Sequence, residues 1–94
     1  MALLGTFTKQ PREVLDVDID YTAVLEGRVD TITSQTSEVS PAGLTLISTT
    51  REGNKIKVVV GSGTVDTVYK VTVLATTTAG LVYEDEVTVL VEEV

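Results

Sequence analysis

The stretch Leu15-Asp16-Val17-Asp18-Ile19-Asp20-Tyr21 decides the fold. Leu15, Val17, Ile19 and Tyr21 alternate with three aspartates, and successive side chains of a strand point to opposite faces. The pattern therefore predicts a half-buried β-strand with an apolar inner face and an acidic outer one. The rest of the chain reads the same way. Val (17) and Thr (16) make up 33 of 94 residues, and both are stiff, β-branched residues that fit pleated surfaces better than helices.

Working outward, turn-forming residues cut the sequence into further runs of period two. A short first strand is expected around residues 3–8. A polar run, 29–39, ends at Pro41-Ala42-Gly43, and residues 44–50 follow as a strand feeding the turn Arg51-Glu52-Gly53-Asn54. These two runs are expected to form one connected unit. Lys55 to Val60 turns Ile56, Val58 and Val60 inward, then breaks at Gly61-Ser62-Gly63. Thr67 to Thr77 puts Tyr69, Val71, Val73 and Ala75 on one face, and Thr78-Ala79-Gly80 turns the chain into a last strand that buries Val87, Val89 and Val91. Seven short strands at this spacing predict an all-β, immunoglobulin-like β-sandwich with no place for a helix. The expected organisation is an N-terminal arm or first strand over 1–13 and a sandwich over 14–94.

Composition narrows the chemistry. The chain has no His, Cys or Trp, which removes imidazole acid–base catalysis, thiolate nucleophiles, disulfides and His/Cys metal sites. No catalytic residue, cofactor or metal is expected. Seven basic against fourteen acidic residues give a net charge of −7, so the basic footprint of a nucleic-acid binder is missing. Residues 1–7 lack the cationic and apolar regions of a signal peptide, and no run approaches the ~20 apolar residues of a membrane span. Synthesis in a cytoplasm, with no membrane partner, is the expectation.

Three motifs invite chemical readings. Asp16, Asp18 and Asp20 resemble the opening of a calcium loop, but Tyr21 stands where that loop needs Gly and Gly27 where it needs Glu. On a strand these carboxylates lie about 6.8 Å apart, so a solvated acidic face is the better reading. Gly61-Ser62-Gly63-Thr64 lacks a phosphate loop's Gly-Lys-Ser/Thr ending and its following helix; a tight turn explains it. Glu84 and Glu86 lack the aromatic platform of a glycosidase cleft.

Four structural and two contact elements remain. Tyr69, at the start of the penultimate strand, occupies a position similar to the tyrosine corner of immunoglobulin-like sandwiches, whose hydroxyl bonds back to nearby backbone. Gly61, Gly63 and Gly80 are read as turn residues. Leu3, Leu4 and Phe7 belong either to a first strand tucked into the sandwich or to an arm that augments a neighbour's sheet. Glu84, Asp85 and Glu86 follow Lys70, the last basic residue, and either guard the apolar last strand or dock on a basic partner.

The ordered residues Pro11-x-x-Val14-Leu15-Asp16-x-x-Ile19-Asp20-Tyr21, Leu25, Asp30-Thr31-Ile32-Thr33-Ser34 and Pro41-Ala42-Gly43-Leu44 resemble a small family of tailed-bacteriophage virion proteins. Its members are immunoglobulin-like fibre–tail adaptors or head–tail accessory proteins. The likeness continues through Gly61-x-Gly63, Tyr69-x-Val71-Thr72, Thr76-Thr77, Gly80 and Val87-x-Val89-x-Val91. It departs at Thr22 or Ala23 and at Ser37, where members often carry Trp. The resemblance implies a non-enzymatic virion component made in the host cytoplasm, in several copies or as a homo-oligomer, joining tail or collar to fibres. The alternatives are a capsid decoration protein and a bacterial surface module that binds glycan or protein.

Overall fold

Alternation of β-branched residues with polar ones produces seven strands among the residues described, 2–26 and 30–93, in a computed structural model; side chains are described for 5–25 and 30–93. The strands are β1 (Ala2–Lys9), β2 (Leu15–Asp20), β3 (Ile32–Ser40), β4 (Leu44–Glu52), β5 (Lys55–Ser62), β6 (Thr67–Thr77) and β7 (Val82–Val91). They form two sheets. One has the order β1-β7-β6-β3 and the other β2-β5-β4. Every pairing is antiparallel except β1 with β7, which is parallel.

The inward residues of both sheets make one core. Val17, Ile19, Ile56, Val58 and Val60 from one sheet meet Tyr69, Val71, Val73, Ala75, Val87, Val89 and Val91 from the other, all buried. Full burial of each Val or Ile contributes about 1.5–3 kcal/mol, which makes this layer the main source of stability. The molecule measures 44 × 20 × 19 Å.

One expectation is corrected. A helix does form: α1 (Thr22–Glu26) caps the lower end of the sandwich. Its first turn is set by the Asp20 carboxylate, which accepts the Thr22 N–H at 2.9 Å, and by Leu25 N–H bonding to Tyr21 carbonyl at 2.9 Å. Leu25 is wholly buried and plugs the core from below. Five residues are too few to show a helical period, which is why the sequence hides this turn. Strands β3 and β4, expected as one connected unit, lie in different sheets and are joined over the upper end through residues 41–43 with a cis Ser40–Pro41 bond. They still touch across the sandwich, where the Ser37 and Thr49 hydroxyls hydrogen-bond and Arg51 donates to Gln35 at 2.9 Å. The start of β3 expected at Val29 lies outside the described residues.

Candidate interaction surfaces

β1 occupies the rim beside β7, with Thr6, Phe7, Thr8 and Lys9 opposite Thr88, Val89, Leu90 and Val91. Parallel neighbours project to the same side, so Phe7 and Lys9 take the inner face and Thr6 and Thr8 the outer. Phe7 nevertheless stays 44% exposed, because no strand of the opposite sheet covers it. The backbone of Leu3 and Leu4 lies in β1; their side chains lie outside the described residues.

Lys9 is completely buried. Its ammonium donates to three carbonyls, those of Gln10 (2.8 Å), Pro11 (3.1 Å) and Ser62 (2.5 Å). A buried charge is tolerable only when its donors are satisfied, and three acceptors match the three protons. Burial lowers the Lys9 pKa, and the nearby Glu13 carboxylate opposes that shift. The contact with Ser62 ties the rim of one sheet to the end of β5 in the other, and Glu92 N–H adds a bond to Lys9 carbonyl at 2.9 Å. A surface groove of about 370 Å³ beside this point is lined by Gln10, Pro11, Arg12, Val65 and Glu93. In the sequence Lys9 is marked only by its parity with Phe7; its pairing with buried Val91 emerges from the fold.

The acidic segment divides by parity. Tyr83 and Asp85 fall in the inward series with Val87, Val89 and Val91, while Glu84 and Glu86 face outward. Asp85 accepts a hydrogen bond from the Tyr21 hydroxyl, joining the two sheets at the lower end, and the Tyr83 ring lies 5.8 Å from that of Tyr21. Burial, then the Asp85 carboxylate, raises the Tyr21 phenol above its ordinary range. Glu86 lies 3.6 Å from the Lys70 ammonium and is itself only 17% exposed in its side chain. Two of the three acids, Asp85 and Glu86, are therefore engaged within the chain. Asp30 is a further structural group that the alternation pattern does not mark. It is buried, and its carboxylate accepts the N–H groups of Thr31 (2.9 Å) and Ala79 (3.2 Å), bracing the β6–β7 turn.

At the upper end Tyr69 is buried, and its hydroxyl accepts the Thr64 N–H at 2.9 Å. Hydrogen bonds from Thr64 lower its pKa. Gly63 packs against the same ring: with φ at +107°, a Cβ there would meet Val91 Cγ2 at 2.6 Å. Gly61 is buried under the Ile47 side chain on the outer face of β5, and Gly80 turns the β6–β7 connection into open space. Asp16, Asp18 and Asp20 stand on the exposed face of β2, where Asp18 and Asp20 pair in register with Lys57 and Lys55, and Lys57 lies 3.9 Å from Asp16. Opposite charges in a cross-strand ladder account for this face. Among the described residues no cluster of acidic side chains could hold a metal ion, and no helix is long and apolar enough to cross a membrane.

What the geometry presents is a two-sheet domain whose notable features are strand edges and cross-sheet ties. Against known families, residues 9–90 match the model of the Podophage GP4 fiber-tail adaptor protein gp77 family, a span from the buried lysine through almost the whole of β7. The chain belongs to that family, whose description is of a phage structural component. No curated protein matches it.

Proposed function

We propose that this chain is a non-enzymatic adaptor in the virion of a tailed bacteriophage, joining the tail to its fibres. The observation that carries the reading is the family match over residues 9–90, which covers β2 to β6, β7 as far as Leu90 and the hydrogen bonds that Lys9 and Tyr21 make between the sheets. The strand order, β1-β7-β6-β3 facing β2-β5-β4, supports an immunoglobulin-like description of the domain. Its partners are other virion proteins, met through strand edges and the outer sheet faces. Several copies per particle would add weak single contacts into a firm attachment.

The test is made on particles. A phage lacking this gene is expected to assemble tailed particles without fibres, and adding the purified protein is expected to restore fibre attachment. Labelled copies should lie at the tail–fibre junction by electron microscopy. Fully fibred particles without the protein, or label spread over the capsid, would overturn the reading.

A further inference from the structure

We propose that β1 is an exchangeable strand, which leaves its own β7 and pairs with β7 of a second copy of this chain. The biological use of such exchange rests on the adaptor reading; the exchange itself is argued from the fold. None of the described side chains of β1, residues 5–9, belongs to the hydrophobic core, and Lys9 alone of them is buried. Every other strand contributes core residues or packs them directly. Among the described residues of this strand, main-chain pairing therefore holds 5–8, and the register is itself irregular between Leu3 and Gly5.

The connection favours release. A parallel partner cannot be reached by a tight hairpin, and residues 10–14 carry the chain out of one sheet and into the other. Withdrawing β1 therefore unwinds no turn. The pivot is well fixed: the three carbonyl bonds of Lys9, the Glu92–Lys9 backbone bond and the Gln10 N–H to Glu13 carboxylate bond (2.8 Å) all lie at or after residue 9.

Residues 2–8 are taken up by pairing and Lys9 stays with its own copy, so exchange requires the second copy's β7 to approach with its Leu90 end against Lys9. Because the second copy offers the same β7, exchange recreates the pairing of residues 2–8 while Lys9 keeps its own Val91, and what opposes it is chiefly the entropy of association. Side-by-side copies on a particle reduce that cost by raising the local concentration.

The chain has no cysteine, so engineered thiols report cleanly. Thr6 and Thr88 are register partners on the outer face. Two single variants, Thr6→Cys and Thr88→Cys, are mixed at high concentration and oxidised. Exchange predicts a mixed disulfide dimer about tenfold above the yield from Thr6→Cys mixed with Thr36→Cys, an exposed control position on β3, because pairing raises effective concentration. The double variant Thr6→Cys/Thr88→Cys, oxidised at low concentration, should close within one chain and, once closed, form no exchanged dimer at high concentration until reduced. A mixed yield no greater than the control overturns the proposal. Particles that carry the closed double variant and still bear fibres would remove exchange from assembly while leaving the adaptor reading intact. Particles that lose fibres with every variant, the control included, would point at the adaptor site and leave the disulfide result to decide exchange.

Discussion

Lys9 shows how a single residue can hold two sheets together. Replacing it with Met keeps the stem but leaves the carbonyls of Gln10, Pro11 and Ser62 without their donor. Urea unfolding of Lys9→Met should show a loss of about 1–3 kcal/mol, the cost of stranding buried polar groups. The glycines grade in the same way. Gly63→Ala combines an unfavourable φ with a Cβ driven against Val91, whereas Gly80→Ala has the strained φ but open space. The expected losses are about 2–4 kcal/mol for Gly63→Ala and about 1 kcal/mol for Gly80→Ala, measured by thermal and urea unfolding. Asp20 gives a pH signature. Its hydrogen bonds from Thr22 lower its folded pKa below the unfolded value, so its contribution is complete above the unfolded value of about 3.9 and fades as pH falls through the lower folded one. A carboxyl NMR titration should place the Asp20 midpoint below that of an unfolded peptide, and Asp20→Asn should flatten the acid limb of the stability curve.

At the level of elements, strands were legible wherever alternation was strong. Leu15 to Tyr21 and Thr67 to Thr77 show their inner faces directly, since one face is apolar and buried. Strand β3 was readable only as polar β-like chain, because its inward positions include Gln35 and Ser37, which carry no apolar signal. The pairing of β3 with β6 was hidden for the same reason. Helix α1 was too short for a period, and its capping by Asp20 reads equally well as the last acid of a strand. Of the interaction surfaces, position along the chain was visible but use was not: nothing local distinguishes Asp85, spent on Tyr21, from Glu84 beside it until the parity of β7 is fixed by its valines. The core itself is a firm expectation. Ile56→Ala, at a wholly buried position between β2 and β4, should lower stability by about 2–5 kcal/mol in urea. Removing residues 2–8, by contrast, should leave a cooperative unfolding transition, because the described part of β1 adds nothing to that core.

At the level of the whole molecule, charge and shape set how copies meet. Each copy carries −7, so close approach at low ionic strength is repulsive. Salt shortens the Debye length from about 30 Å at 0.01 M to about 8 Å at 0.15 M, which is less than the width of the sandwich. The fraction of exchanged dimer measured by light scattering should therefore rise with salt across that range; a fall would show that attraction between opposite charges drives the contact instead.

The parallel alignment of β1 and β7 has a consequence when the molecule is stretched. Residue 2 sits beside Asp85 at the lower end, and Val91 sits beside Lys9 at the upper. Tension applied at residue 2 and at residue 91, in opposite directions along the long axis, slides the two strands past each other. Their slanted, evenly spaced bonds then resist together as a shear joint, where an antiparallel end would peel open bond by bond. Such a joint lasts for as long as its unfolding barrier allows under force, so its strength is a matter of lifetime rather than of equilibrium stability. If β1 comes from a neighbouring copy, the same joint becomes the link along which tension passes from one subunit to the next.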